Sequence, residues 1–207
     1  LPREPGVSRI RRISEMNWGA IKAAVAAYTH RTDLDAMLPT FLALAEQRIY
    51  YGESNSPKVR CAAMRQSTSL ANGTRPTGFL EAVKIAESGS PDRPLEYRPL
   101  DKMPHERRAF SWDGATLVLS DDQAFPVDLT YYAKLATPTL DADENWLMAN
   151  APSIYLASML VEVHRWAADD ASAAREASNY ASAVSALVSQ EQSAAISGSA
   201  LRIRARG

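Results

Sequence analysis

The chain has 207 residues, is 46% hydrophobic and carries a formal net charge of −1. This excludes a disordered protein, and a chain of this size buries enough surface to fold without a metal or a disulfide. The single cysteine, Cys61, excludes an internal disulfide and suits a reducing compartment. No apolar run approaches the roughly 20 residues that cross a bilayer, so no membrane partner is expected.

Charge is unevenly placed. Residues 1–13 carry Arg3, Arg9, Arg11 and Arg12 against Glu4, for +3, and residues 201–207 carry Arg202, Arg204 and Arg206, again +3, which leaves −7 for residues 14–200. An acidic body with two basic ends suggests that the ends meet something other than solvent. The chain opens on Leu1, which reads as a processed or trimmed start, and no signal peptide is visible.

After the basic arm, the spacing predicts a helix from Ser14 to Tyr28 with Trp18, Ile21, Val25 and Tyr28 as its buried stripe. Thr32 reads as an N-cap with Asp33 and Asp35 behind it, and the main second helix starts with Pro39 at its first position. Phe41, Leu42, Ala45 and Ile49 form its inner face, and Gly52 ends it.

From Val59 onward, turn signals multiply: Asn72-Gly73, Gly89-Ser90-Pro91 and Asp113-Gly114. The clearest strand is Val127 to Leu135, with Val127, Leu129, Tyr131, Ala133 and Leu135 on one face. Phe79–Ala86, Leu95–Arg98, Phe110–Trp112 and Thr116–Leu119 are further strands, Cys61 lies in a strand beside Val59 and Ala63, and a helical turn falls near Pro99–Arg107. Short connections favour antiparallel pairing, giving a small sheet or barrel.

Helix returns after Asp143. The segment opens on Asn145-Trp146, and Ser153–Ala168 reads as an amphipathic helix with Leu156, Met159, Leu160, Val163 and Ala167 inward and Ser158, Glu162, Arg165 and Asp169 outward. Asp169-Asp170 breaks it and caps a helix over Ala171–Ser193, whose Ala173, Ala177, Tyr180, Val184 and Leu187 form a seam for another helix. Trp146, Tyr155, Met159, Val163, Tyr180 and Val184 are the candidate helix-packing residues. Last comes Leu201-Arg202-Ile203-Arg204-Ala205-Arg206, a strict apolar/basic alternation that reads as a strand in need of a partner.

The fold class is therefore α+β. N- and C-terminal helices form a bundle, a small antiparallel β domain is inserted between them, and an extended tail follows. The segments are a basic arm (1–13), a first helical part (14–56), the β insertion (57–140), a second helical part (141–196) and the basic tail (197–207).

Reactive chemistry is absent from the pattern. His30, His105 and His164 lie in three separate segments, and Glu162 and His164, two apart, cannot share a helix face. His30 borders a helix cap and His164 the edge of the Val163 face. Cys61 has no flanking nucleophile motif and reads as a small buried hydrophobe. No phosphate loop, nucleophile elbow or dinucleotide fingerprint occurs. Asp141, Asp143 and Glu144 precede a helix, where acids are favoured, and lack the glycine and distal glutamate of a calcium loop. No metal site and no cofactor are expected. The end arginines could meet phosphates, but no base-reading element is present.

The order of four segments resembles the bacteriophage head-to-tail adaptor, or connector, proteins. These are the opening helix leading into HRTDLDAMLPTFLALAEQRI (30–49); RPLEYRPLDKM (93–103) with the hairpin FSWDGATLVLS (110–120); LTYYAKLATPTL (129–140) followed by NWLMANAPSIYLASMLVEVHRWAADD (145–170); and the closing SGSALRIRAR (197–206). Residues 1–13 lie outside the likeness. The resemblance implies a structural protein without enzymatic activity or cofactor. It implies a ring, dodecameric to match the portal above it, that extends the DNA channel and presents a platform to the tail. Its partners would be the portal protein, a tail-tube or nozzle protein, copies of itself, and genomic DNA passing without sequence recognition. Its place would be the head–tail junction of the virion, after synthesis in the bacterial cytoplasm. The tail residues Leu201, Arg202, Ile203, Arg204, Ala205 and Arg206 would contact the portal or an adjacent subunit. A tail-tube or head-closure protein and a dimerising helical interaction domain are the alternatives.

Overall fold

The computed structural model describes residues 16–197. The arm 1–13 and the tail residues Leu201 to Arg206 lie outside the described residues. The chain divides into two compact units: one takes residues to 57 and 136–185, the other 58–135 and the residues from 186 onward.

In the helical unit, α1 spans Trp18–Thr29. Asn17, in extended conformation, caps it by accepting from the Ala20 amide at 2.9 Å. Two more of its free amides, on Trp18 and Gly19, donate to the carbonyls of Asp143 and Asp141 at 2.9 Å each. The approach is close at Gly19, where an added Cβ would meet the Asp141 Cβ at 3.1 Å. His30 closes the helix with φ 52°, as a left-handed cap. Trp18, Ile21 and Val25 are buried, but Tyr28 is 67% exposed. It lies at the end of the stripe, where it borders a hollow also lined by Leu156, Leu160, Glu176 and Asn179.

Helix α2 spans Leu38–Tyr51. Thr32 caps nothing: residues 35–37 turn instead, and the Leu34 carbonyl accepts from Met37 and Leu38. Pro39 is thus the second helical residue, still within the turn that needs no amide partner. Phe41, Leu42, Ala45 and Ile49 are buried as the spacing requires, and Gly52 ends the helix at φ 74°.

Helix α3, Trp146–Asn150, is capped by Asn145, and α4 spans Pro152–Trp166 with proline in its first turn. Helix α4 packs against α1, α2 and α3. It is consequently buried almost all round, and Ser158 (0%) and Glu162 (7%) lie inside rather than facing solvent. Ala167, read as inward from the spacing, is exposed, and Leu156 is only half-buried.

Helix α5 spans Asp170–Ser197 and contributes to both units. The Asp169 carboxylate accepts from the Ser172 amide at 3.0 Å, which caps the helix, and hydrogen bonds from the Ser172 side chain and amide together lower the Asp169 pKa. Ala173, Tyr180, Val184 and Leu187 are buried, while Glu176 takes the buried place expected of Ala177. Glu176 keeps its carboxylate satisfied by Asn179 and Arg175.

The β unit holds β1 (Arg65–Leu70), β2 (Phe79–Glu87), β3 (Glu96–Tyr97), β4 (Ala109–Asp113), β5 (Thr116–Leu119) and β6 (Val127–Ala133). They form two three-stranded sheets, ordered β1-β6-β2 and β3-β4-β5. Three pairings are antiparallel, but β3 runs parallel to β4, with Glu96 opposite Ala109 and Tyr97 opposite Phe110. The 3-10 turn Leu100–His105 lies in their connection. Both sheets feed one core of Leu70, Ile85, Leu95, Phe110, Leu117, Val127, Leu129, Tyr131 and Ala133. Cys61 is buried but precedes a 3-10 turn, Ala62–Met64, and is not in a strand. The turn is tied to α5, where the Glu191 carboxylate accepts from the Ala62 amide at 2.8 Å.

Candidate functional site

The strongest polar constellation is inside the helical unit. Arg48, on the inner face of α2 between Ala45 and Ile49, is fully buried. Its Nη1 donates to the Ser158 carbonyl at 3.0 Å, and its Nη2 donates to the Glu162 carboxylate and to Glu53 Oε1 at 3.2 Å. Arg165 completes the group, donating to Glu53 at 3.0 Å and lying 3.6 Å from Glu162. Two guanidinium groups thus face two carboxylates, and the cluster is neutral as a whole. Burial pushes the Glu53 carboxyl up, but the Arg165 hydrogen bond and the nearby Arg48 and Arg165 charges outweigh it, so its pKa falls below the ordinary value.

A second cluster lies where α2, α3 and α4 meet. Tyr155 Oη donates to Glu46 Oε1 at 3.2 Å, and Thr137 Oγ1 donates to Glu46 Oε2 at 2.6 Å. Asn145 Nδ2 donates to Tyr155 Oη at 2.9 Å and to the Ala136 carbonyl at 3.0 Å, while its Oδ1 accepts from the Met148 amide. The residue that opens the Asn145-Trp146 segment is therefore both a helix cap and a buried clamp. Burial, with the Tyr50 and Glu46 charges behind it, pushes the Tyr155 hydroxyl far above the usual tyrosine range, so it holds its proton. Tyr180 Oη donates to the Pro57 carbonyl at 2.8 Å, and burial raises its pKa as well. These groups are locked by partners and have no free base or nucleophile to offer. They fasten helices to one another.

The candidate packing residues Tyr155, Met159, Val163, Tyr180 and Val184 are all buried in this unit, whereas Trp146 keeps 37% exposure. His30 sits at the α1 cap, and His164 Nδ1 lies 3.7 Å from Asp169. The acids at 141–144 are structural: Asp143 accepts from the Thr139 and Leu140 amides at 2.8 Å each, which lowers its pKa, and Asp141 pairs with Lys22 at 2.5 Å. No cluster that could hold a metal ion occurs among the described residues, and no described helix is long and apolar enough to cross a membrane.

Arg48 and Glu53, together with the burial of Ser158 and Glu162, escape a reading based on hydropathy. The one local signal is the i, i+3 spacing of Glu162 and Arg165. Apolar surface also remains outside the core. Trp166 is 47% exposed, with its ring 4.7 Å from the Arg31 guanidinium and in edge contact with Phe41. Leu44 and Tyr51, two turns apart on α2, are 42% and 59% exposed. In the β unit, Arg75 stacks 4.3 Å from the Trp112 ring and 5.0 Å from Phe79, and all three line a hollow of about 330 Å³. Cohesive interiors with apolar outer patches suit a protein that works by contact.

The chain finds no match among curated proteins. The SU10 adaptor protein model matches residues 16–204, which takes in every described helix and strand and runs into the alternating tail. A match over most of the chain decides the matter: the protein belongs to the SU10 adaptor protein family, a phage head–tail adaptor family that is structural and not enzymatic.

Proposed function

We propose that the chain assembles as a dodecameric ring beneath the phage portal, joins head to tail and continues the DNA channel. In this reading the portal protein lies on one side, a tail-tube or nozzle protein on the other, and copies of the chain lie around the ring. Its place is the head–tail junction of the virion, and it acts in tail assembly and DNA ejection. The observation that carries the reading is the family match across 16–204. Two physical features support it. The helical unit is fastened internally by buried polar clusters, and its exposed Leu44, Tyr51 and Trp166 supply contact surface. The basic ends set against an acidic body suit heterologous contacts that close by rotation. Acidic walls would repel phosphate and let the duplex slide past.

Imaging an assembled particle with this chain located is the direct test. A ring between portal and tail is expected. A position within the tail tube would make it a tail-tube or head-closure protein, and a small dimer indifferent to portal would make it an interaction domain. A strongly basic mapped channel wall would overturn the sliding surface. Deleting residues 197–206 is expected to abolish assembly, and unchanged particles would overturn the role given to Leu201–Arg206.

A further inference from the structure

We propose that the β unit carries an open seam along β2 that receives residues 201–206 of a second copy as an added strand. This rests on the ring reading and deepens it.

Strand β2 is the edge of its sheet, paired only with β6. At one end it is stitched to the segment before β3, where the Leu95 amide donates to the Ile85 carbonyl at 2.7 Å and Ala86 bridges Pro94. Before β2 begins, the chain is stitched to β5: the Leu117 amide donates to the Gly73 carbonyl at 2.6 Å, and the Arg75 amide to the Ala115 carbonyl at 3.1 Å. Between these ties, from Phe79 to Lys84, the outer side of β2 has no strand neighbour among the described residues.

Two hollows of about 330 and 310 Å³ follow this unpaired stretch and share Ala82, Tyr97 and Phe110. Phe79 and Trp112 line one, Pro94 and Leu95 the other. Val83 (44%) and Tyr97 (59%) are exposed there although both are large and apolar. Arg75, stacked on the Phe79 and Trp112 rings, also lines the first hollow. An unpaired edge beside an apolar trough is the geometry of strand addition, in which main-chain bonds hold a peptide and alternate side chains fill pockets.

The occupant follows from the sequence. In a strand, Leu201, Ile203 and Ala205 share one face and Arg202, Arg204 and Arg206 the other. The apolar face would fill the trough. The arginines would point away from it; the acids of this region, Glu81 on β2 and Glu96 on β3, are 46% and 70% exposed. Both acids already have basic partners, so affinity would come chiefly from the apolar face. The other open edge, β1, fits less well: its sequence is RQSTSL, and the hollow beside it is lined by Ser67, Thr68, Ser69, Asp128 and Thr130 with Leu129 alone apolar. The tail departs from α5, which is tied to this same unit through Glu191. In a ring each copy would give one tail and receive one, and the contact closes on itself.

The test uses full-length chains. Ile203→Cys in one and Val83→Cys in another are co-expressed and mildly oxidised, leaving the buried Cys61 in place. The expected result is a disulfide-linked pair on a non-reducing gel, lost when Ser67→Cys replaces Val83→Cys. A link to position 67 instead, or a link within one chain carrying both I203C and V83C, overturns the seam or its second-copy occupant. Rings without any link overturn the seam and leave the ring reading standing. Chains that stay single even beside portal protein overturn both.

Discussion

Arg48 on α2 and Glu162 on α4 share a charge-assisted hydrogen bond across 114 positions of the chain, at a point where the guanidinium is wholly shielded from water. Breaking such a pair from one side strands a charge in the interior. Replacing both sides with apolar groups does not.

Arg48→Ala is therefore expected to cost about 3–5 kcal/mol, whereas the double variant R48M/E162L should retain most of the native stability. Urea unfolding of both proteins checks this through the midpoint at unchanged slope. A loss below about 1 kcal/mol for Arg48→Ala would show that water reaches Glu162 freely.

Glu53 gives the cluster a pH dependence. Its carboxyl is held below the ordinary 4.5 by Arg165 and Arg48 against the cost of burial. A depressed folded value means that its contribution is present above pH 4.5 and is lost as the pH falls below that toward the folded value. Glu53→Gln should be less stable than the native chain near neutrality and should converge on it in acid. Unfolding midpoints taken from pH 6 down to pH 3 test the sign. Curves that stay parallel throughout would remove Glu53 from the acid response.

Gly73 is held against β5. A Cβ at this position would meet the Leu117 carbonyl oxygen at 2.5 Å, a backbone atom that cannot swing aside. Gly73→Ala is expected to destabilise by about 3 kcal/mol, at the upper end of the cost of overpacked interiors and clearly more than the same change at Gly89. Gly89, where an added Cβ meets nothing within 4 Å, is the comparison. Its φ of 75° alone should make Gly89→Ala cost about 1 kcal/mol. Equal melting temperatures for the two variants would refute the close approach.

Cys61 has no exposed surface, and burial, reinforced by the Glu191 charge, pushes its thiol up from the usual range. Since the thiolate is the reactive form, alkylation of the native chain near neutral pH should be far slower than that of the urea-unfolded chain. Mass spectrometry over a time course reads this directly. Comparable rates would mean that the Ala62–Met64 turn opens readily.

What the sequence made legible is what hydrophobic spacing encodes. Phe41, Leu42, Ala45 and Ile49 turn inward on α2, and β6 alternates from Val127 to Ala133, because burial sorts residues by face. Features set by partners distant in the chain were not legible. The strand RQSTSL shows no alternation because β1 is an edge with little to bury, and its pairing with β6 supplies the structure. The parallel β3–β4 pair escaped because a short connection usually returns antiparallel. Ser158 and Glu162 carry polar side chains at the centre of the helical unit because Arg48 is there to receive them. The candidate contact surfaces divide in the same way. The tail alternation is local and visible, whereas the trough along β2 is built from residues spread between Arg75 and Trp112.

The helical unit is discontinuous, with α1 and α2 on one side of the β segment and α3 and α4 on the other. A ribosome therefore releases Arg48 long before it has made Glu162. During that interval the guanidinium stays hydrated and the first two helices lack the helix they pack upon, so the nascent protein cannot complete its bracing until translation is well past the β segment.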